Sequence, residues 1–200
     1  AVATKGAVAR QLGLSRAALE ANGFEGKAGQ VLAVPGSDGV TIAVGVGDPG
    51  TIDAAGLRSA AAAFARAASK HAHLATNLAD VDGVDAKDAA QAVTEGVLLA
   101  SYRYTGLKND PTNASRLVGL TLIAGDKRAK DAARGAERGA VVAAAAAFAR
   151  ELANTPPTYL NAKDLAAKAV EIGSAAGLHV DVFNKDQLEQ MGCCGLFGVN

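Results

Sequence analysis

The chain has few aromatic residues, methionines and cysteines, which are residue types that often indicate a specialised site. It has no Trp, one Met, three Tyr, five Phe and two Cys in 200 residues. A disulfide-rich scaffold is excluded, because Cys193 and Cys194 are adjacent and have no other cysteine as a partner. Free thiols in a reducing cytoplasm are the expected state, so we predict a cytoplasmic protein. With aromatics this scarce and Ala and Gly abundant, the core must consist of small aliphatic side chains in close contact.

The chain also lacks a charge excess and a membrane segment. Basic and acidic residues number 20 each, so nothing in the net charge favours nucleic acid or an anionic membrane as a partner. No apolar run reaches the length of about 18 residues that a membrane span needs, and the first residues do not form a signal peptide. The chain opens without the apolar strand that usually begins an α/β sheet, so we expect some residues ahead of Ala1.

Alternating strand and helix patterns predict an α/β protein. A hairpin is expected over 30–46, because P-G-S-D-G separates two β-branched runs. Residues 116–124 are apolar on both faces, as in a central strand. Pro156 and Pro157 end a long connector helix. The predicted domains are 1–150 and 151–200. The other predicted elements are helices over 53–70, 85–102, 127–153, 161–172 and 186–191, and strands over 73–79 and 178–183.

The loop at 45–50 matches G-x-G-x-x-G after a strand and before a helix, a place where phosphate can bind. Pro49 removes an amide from this loop, and Asp48 places a negative charge where an anion would lie. The acidic residue that a dinucleotide site has about 20 positions later is missing. We therefore favour a plain strand-to-helix turn over nucleotide binding.

Other polar residues fail to assemble a site in the sequence. His71 and His73 lack a nearby third metal ligand, and His179 stands alone beside Asp181. Cys193 and Cys194 have no histidine nearby, so a half-buried structural thiol is favoured over a reactive one. The acidic loop of Asp80, Asp82, Asp85 and Asp88 is explained by a solvated turn and a helix N-terminus. Arg103, Lys108 and Arg116 are too dispersed to indicate nucleic-acid binding.

A set of ordered motifs does point to a family. A-R-E-L-A-N-T-P-P at 149–157 and L-E-Q-M-G-C-C-G-L-F-G-V at 188–199 resemble the leucyl (cytosol) aminopeptidase family. G-V-T-I-A-V-G-V-G-D at 39–48 and E-G-V-L-L-A-S-Y-R-Y at 95–104 are similar to its N-terminal strand and helix. One departure is Cys194, which stands where the family pattern usually carries Gly, in a turn that would favour positive φ.

The resemblance implies a mixed-sheet, macro-domain-like N-terminal α/β domain, a connector helix, and the first elements of an α/β peptidase domain. It implies an exopeptidase that removes N-terminal residues, often Leu, from peptides, works as a homohexamer, and uses two divalent ions, Zn or Mn, per full-length subunit. The family's catalytic residues and metal ligands follow the segment that ends at Asn200, so we assign no catalytic, cofactor-binding or metal-binding residue within 1–200. We therefore expect this segment to bind no metal and to be inactive alone. The alternative is an ADP-ribose-like binding module without hydrolytic activity.

Overall fold

The structure, a computed structural model, describes residues 1–8, 12–36, 39–109 and 114–198. The chain divides into two compact units, Ala1–Glu151 and Leu152–Asn200. The elements of the first unit are β1 (Val2–Ala3), α1 (Arg16–Ala21), β2 (Val31–Pro35), β3 (Val40–Gly47), a 3-10 turn (Pro49–Thr51), α2 (Ala54–Ala67), β4 (His73–Thr76), α3 (Ala86–Ser101), β5 (Gly119–Leu122) and α4 (Asp126–Asn154), whose last turn enters the second unit. The second unit has α5 (Ala162–Ala175), α6 (Lys185–Gln190) and α7 (Cys194–Phe197).

The strands of the first unit form two sheets. In one, β3 lies between β1, which is parallel to it, and β2, which is antiparallel. The pairing runs from Val31 opposite Val44 to Pro35 opposite Val40, which confirms the predicted hairpin, while its residues 37–38 lie outside the described chain. The other sheet pairs β4 with β5 in parallel, from His73 opposite Gly119. The architecture is thus mixed α/β, as the sequence predicts.

Strand β5 departs from the expectation of a central strand. Among the described residues it pairs with β4 alone, and its flanking residues Val118 and Ile123 are 76% and 55% exposed. An apolar run on both faces is compatible with a covered strand, but the pattern carries no information about which strands lie beside it. The prediction of a central position is therefore wrong for the part of the chain described.

Helices α2 and α3 begin where the sequence provides caps. The Asp53 carboxylate accepts a hydrogen bond from the Gly56 amide at 2.7 Å, and Asp85 caps α3 in the same way. The predicted apolar face of α2 is buried and joins the main core with residues of α3. That face consists of Leu57, Ala61, Phe64 and Ala68. A second core, built around Val2, Leu19 and Phe24, lies under α1.

The second unit consists of helices joined by turns. Helix α5 begins in a capping box in which Asn161 and Asp164 bond each other's backbone amides, and α6 begins in a similar box at Asn184. The strand predicted over 178–183 is wrong, because its backbone finds no partner strand among the described residues of this unit. Instead Val180 packs against Gly173 of α5, where a Cβ would overlap the valine methyl group.

Candidate functional site

The glycine-rich loop after β3 is a structural turn. Asp48 Oδ1 accepts a hydrogen bond from the Gly50 amide at 2.9 Å, so the carboxylate already occupies a donor that a phosphate would need. Gly45 lies so close to the backbone of Gly26 and Lys27 that no side chain would fit, and Gly47 has a φ of +82°. Close packing and turn geometry explain these glycines, in agreement with the plain turn favoured above.

The two histidines of 71–73 line a cleft between the two sheets. A Cβ at Gly119 would lie 3.0 Å from His73 Nδ1, so that imidazole sits over the neighbouring strand β5. In the described ranges, no group of three His, Cys, Asp or Glu side chains is placed to hold a metal ion.

The acidic loop before α3 is engaged in structural contacts. Asp85 Oδ1 caps α3 by accepting bonds from the amides of residues 87 and 88. Asp80 Oδ1 lies 3.4 Å from Arg128 Nε, and the same guanidinium donates to the carbonyl oxygens of Ala79 and Val84. Arg128 of α4 therefore ties the loop to that helix. Two of the four carboxylates have the roles expected for them, because Asp80 lies in an exposed turn and Asp85 lies at the start of α3.

Basic residues that are dispersed in the sequence meet in space. Arg103 and Arg116 line one cavity of about 370 Å³ together with Lys70 and His71, and none of its lining residues in the described part of the chain is acidic. Lys108 is not among the lining residues. Arg103 Nη1 already donates to the carbonyl oxygens of Ala100 and Tyr102, so it caps the C-terminal end of α3. Its guanidinium thus has a structural partner.

An ion pair between a buried carboxylate and a partly exposed arginine joins α2 to α3. Glu95 is 5% exposed, and its Oε2 accepts a bond from Arg58 Nε at 2.7 Å while its Oε1 accepts from Gln91 Nε2 at 2.8 Å. The next residue, Gly96, has no room for a Cβ, which would overlap the carbonyl oxygen of Arg58. The sequence patterns predict no partner for Glu95; the available signal is a Glu-Gly pair directly before the apolar run at 97–100.

Two motifs that are far apart in sequence touch each other at the end of α3. The Tyr102 hydroxyl donates to Glu151 Oε2 at 2.9 Å, and the Arg150 guanidinium lies 5.8 Å from the centre of the Tyr102 ring. Arg150 Nη1 also donates to the Leu99 carbonyl oxygen at 3.0 Å. The E-G-V-L-L-A-S-Y-R-Y segment and the start of the proline-terminated motif therefore form one junction between α3 and α4.

The cysteine turn in the second unit differs from the expectation. Cys193 is half-buried and Cys194 is exposed, and both thiols are free. Cys194 begins α7, and none of the described non-glycine residues has a positive φ, so it bears no strain of that kind. The positive φ, +74°, belongs to Gly192. Elsewhere in the second unit, before α6, His179 Nε2 lies 3.0 Å from Asp181 Oδ1 on an exposed surface.

The motifs at 39–48 and 95–104 lie within a match to a known family. Residues 4–111 match the family model described as the N-terminal domain of the cytosol aminopeptidase family. The chain belongs to the cytosol aminopeptidase family. The match covers more than half of the chain, including β2 to β4, α2 and α3.

Curated relatives carry the same family name. The chain is 36% identical over 183 residues to a probable cytosol aminopeptidase of Mycobacterium leprae. The alignment covers 91% of this chain and 35% of that protein. It is 34% identical over 189 residues to a probable cytosol aminopeptidase of Rhodococcus opacus, covering 90% of this chain and 36% of that protein. The chain thus spans about a third of the length of these relatives.

Solved structures share the fold. The bottromycin maturation enzyme BotP in complex with Mn superposes with a TM-score of 0.77 at 31% identity, over 96% of this chain and 39% of that one. A mutant of tomato leucine aminopeptidase gives a TM-score of 0.77 at 25% identity, over 92% of this chain and 37% of that one. The mixed α/β architecture is therefore that of the leucine aminopeptidase N-terminal region. Within the described residues, no helix has both the length and the apolar character to cross a membrane.

Proposed function

We propose that this chain is the N-terminal part of a leucyl aminopeptidase, a two-metal exopeptidase that removes N-terminal residues, often Leu, from peptides during intracellular protein turnover. The observation that carries the proposal is the family match over residues 4–111. The contact between Tyr102 and the Arg150–Glu151 pair adds to it, because it joins two of the motifs on which the resemblance depends.

The catalytic residues and metal ligands of this proposal lie beyond Asn200. The fit between the described residues and a two-metal centre is poor, because they hold no group of three His, Cys, Asp or Glu side chains and three of the carboxylates that are buried or lie in the acidic loop already have partners. Glu95 is bound by Arg58, Asp80 lies beside Arg128, and Asp85 caps a helix. The ions, Zn or Mn, would polarise the scissile carbonyl and activate a water when bound to the longer subunit. No step of that chemistry is assigned to residues 1–200.

The proposed role of residues 1–150 is to support assembly and to restrict access to the active site, with 151–200 as the connector and the start of the catalytic domain. The division into units at Glu151 and Leu152 is in keeping with that boundary. The proposal includes a homohexamer in the cytosol, with peptides as substrates. Sedimentation of a longer protein that contains this chain tests the assembly, and a monomer would contradict it.

Hydrolysis of leucine-p-nitroanilide tests the activity. We expect the 200-residue chain with added Mn²⁺ or Zn²⁺ to give no turnover above the metal alone. A longer protein that contains it should be active, lose activity with a chelator and regain it with metal. Turnover by the 200-residue chain would show that residues 1–200 contain an active site.

The alternative of an ADP-ribose-like binding module has little support in the loop geometry. The Asp48 carboxylate occupies the Gly50 amide and would repel a phosphate at this position. We expect calorimetry with ADP-ribose to show no binding heat. A saturable heat with ADP-ribose would revive the alternative. A change of that heat in an Asp48→Ala variant, in either direction, would place the ligand at this loop.

A further inference from the structure

Four basic side chains line one cavity of about 370 Å³ in the first unit. Lys70 and His71 follow the end of α2. Arg103 follows the end of α3, and Arg116 precedes β5. Three serines line the cavity as well, and none of its lining residues in the described ranges is acidic. The cavity therefore gathers positive charges and hydroxyl groups that the sequence holds far apart.

Backbone hydrogen bonds bring these segments together. The Val118 amide donates to the Ala72 carbonyl oxygen at 2.7 Å, so the residues before β5 lie close to those before β4. The Ser115 hydroxyl accepts a hydrogen bond from the Leu117 amide at 3.3 Å, which shapes the turn that carries Arg116. The pairing of β4 with β5 thus fixes the backbone on which two of the four segments present their charges.

A structural role accounts for Arg103 but not for the other cations. The Nη1 atom of Arg103 donates to two carbonyl oxygens at the end of α3, and these bonds hold its guanidinium at the cavity. The end of α2 is closed by its own backbone, because the Ala68 amide donates to the Phe64 carbonyl oxygen and the His71 amide donates to the Ala68 carbonyl oxygen. The cap of α2 therefore does not depend on the side chain of Lys70 or His71.

The remaining cations have donors to spare. Within the part of the chain that the structure describes, the side chains of Lys70, His71 and Arg116 form no hydrogen bond or ion pair, and all three are exposed. Like charges around one cavity repel each other, and apolar walls strengthen that repulsion relative to open water. An anion in the cavity would remove the repulsion and would accept hydrogen bonds from the unused donors.

The cavity also has an apolar floor. Leu74 is 7% exposed and Leu117 is half-buried, and alanines of α2 and α3 lie beside them. The exposed cations form the rim around this floor. A ligand that fits both parts has negative groups at its periphery and carbon atoms between them.

We propose that this cavity binds a small polycarboxylate. The rim cations belong to separate segments, so they suit a ligand whose negative charges lie on separate groups. A planar carboxylate matches the donor fork of a guanidinium, as Arg103 and Arg116 supply, and the floor accommodates the carbon skeleton. The volume lies within the range of about 300–1,000 Å³ that is typical of small-molecule sites. This site is separate from the proposed peptidase activity and does not depend on it.

Titration of the 200-residue chain with citrate, followed by the NMR signals of its backbone amides, tests the proposal. Citrate carries three carboxylates, and acetate, which carries one, is the matched ligand at the same pH and ionic strength. We expect saturable shifts with citrate that are largest at the cavity, as at the amides of Ser101 and Leu117. Acetate should bind at least about tenfold more weakly, because it can meet only one of the rim cations at a time.

Charge-removing variants identify the place of binding. Arg116→Gln and Lys70→Gln together should weaken citrate binding at least about tenfold. Lys108→Gln removes an exposed cation that does not line the cavity, so it should leave the affinity unchanged. Without ligand, the double variant should unfold at nearly the same temperature as the unaltered chain, since its two side chains have no partner in the described residues.

Equal affinity of the double variant and the unaltered chain for citrate would overturn the proposal, as would shifts that rise without saturation. A clear loss of stability in the ligand-free double variant would show that these cations have a structural role, and that result also contradicts it. Tighter binding of inorganic phosphate than of citrate at equal ionic strength would indicate a site for one compact anion and would overturn the assignment to a polycarboxylate.

Discussion

Replacing Gly96 by Ala tests whether the contact between α2 and α3 determines the stability of the first unit. In a free helix this change stabilises by about 1 kcal/mol, because Ala restricts the unfolded chain and suits the helix better. In this structure the new Cβ would overlap the carbonyl oxygen of Arg58 and would lie 2.8 Å from the Ala61 Cβ. Both neighbours belong to the body of α2, so the helices must separate.

The two effects oppose each other, and the second is larger. Overpacking in a well-filled core costs about 1–3 kcal/mol. Displacement of Arg58 also weakens its 2.7 Å contact with the buried Glu95, and a hydrogen bond to a charged group contributes about 1.5–3 kcal/mol. Since Arg58 is 42% exposed, only part of that contribution is lost. We expect a net loss of about 2 kcal/mol, close to a 30-fold change in the folding equilibrium.

Urea unfolding followed by far-ultraviolet circular dichroism measures this difference. The matched control is Gly56→Ala in the first turn of α2, where the residue is exposed and the new Cβ meets only the Asp53 carboxylate at 3.2 Å. The control should be neutral or slightly stabilising. If Gly96→Ala stabilised the chain as much as the helix preference alone predicts, the close approach of α2 and α3 would be refuted.

Three further predictions concern the ends of the chain. Asn161→Ala should destabilise α5 by about 1 kcal/mol through loss of the capping box, whereas Lys168→Ala in the same helix should stay within about 0.5 kcal/mol; hydrogen exchange of the α5 amides compares them. Gly192→Ala should cost about 1–2 kcal/mol because φ is +74°, while Cys194→Ala should be neutral in the same assay. The pKa of the Ala1 amine is lower in the folded chain than in the unfolded one, so the unfolded chain binds more protons below about pH 8. The free energy of unfolding should therefore rise as the pH rises toward the unfolded amine's pKa of about 8, and N-terminal acetylation should remove that part of the rise.

Local signals in the sequence predict most of the elements. Asp53, Asp85 and Asn161 cap helices where the patterns place them, and Pro156 follows the end of α4 within two residues. Each of these signals acts through groups within a few residues of itself, so one sequence contains all the necessary information. The resemblance to the cytosol aminopeptidase family, carried by short motifs in order, is likewise confirmed by the family match.

Most of the errors and omissions involve partners that are distant in the chain; the cysteine turn, where the positive φ belongs to Gly192 and not to Cys194, is the local exception. The strand predicted over 178–183 fails because pairing requires a neighbouring strand, which a local pattern does not provide. The pair of Arg58 and Glu95 spans 37 positions, and the shared cavity of Arg103 and Arg116 depends on how α3 and β5 are arranged. Periodicity identifies a helix face but not the side chain that will meet it.

The positions of the motif residues suggest why a family can be recognised in a segment without catalytic residues. Glu95 joins α3 to α2, and Tyr102 joins the end of α3 to Arg150 and Glu151 of α4. These contacts fix three helices by charge-assisted hydrogen bonds and by a cation–π contact, which require particular side chains, beside a core whose buried residues are mostly alanine, valine and leucine. The N-terminal motifs therefore specify how α2, α3 and α4 pack, and α4 is the helix that leads to the double proline. In this protein the recognisable residues of the first unit join α2, α3 and the last turns of α4, whereas Pro156 and Pro157 follow the end of that helix.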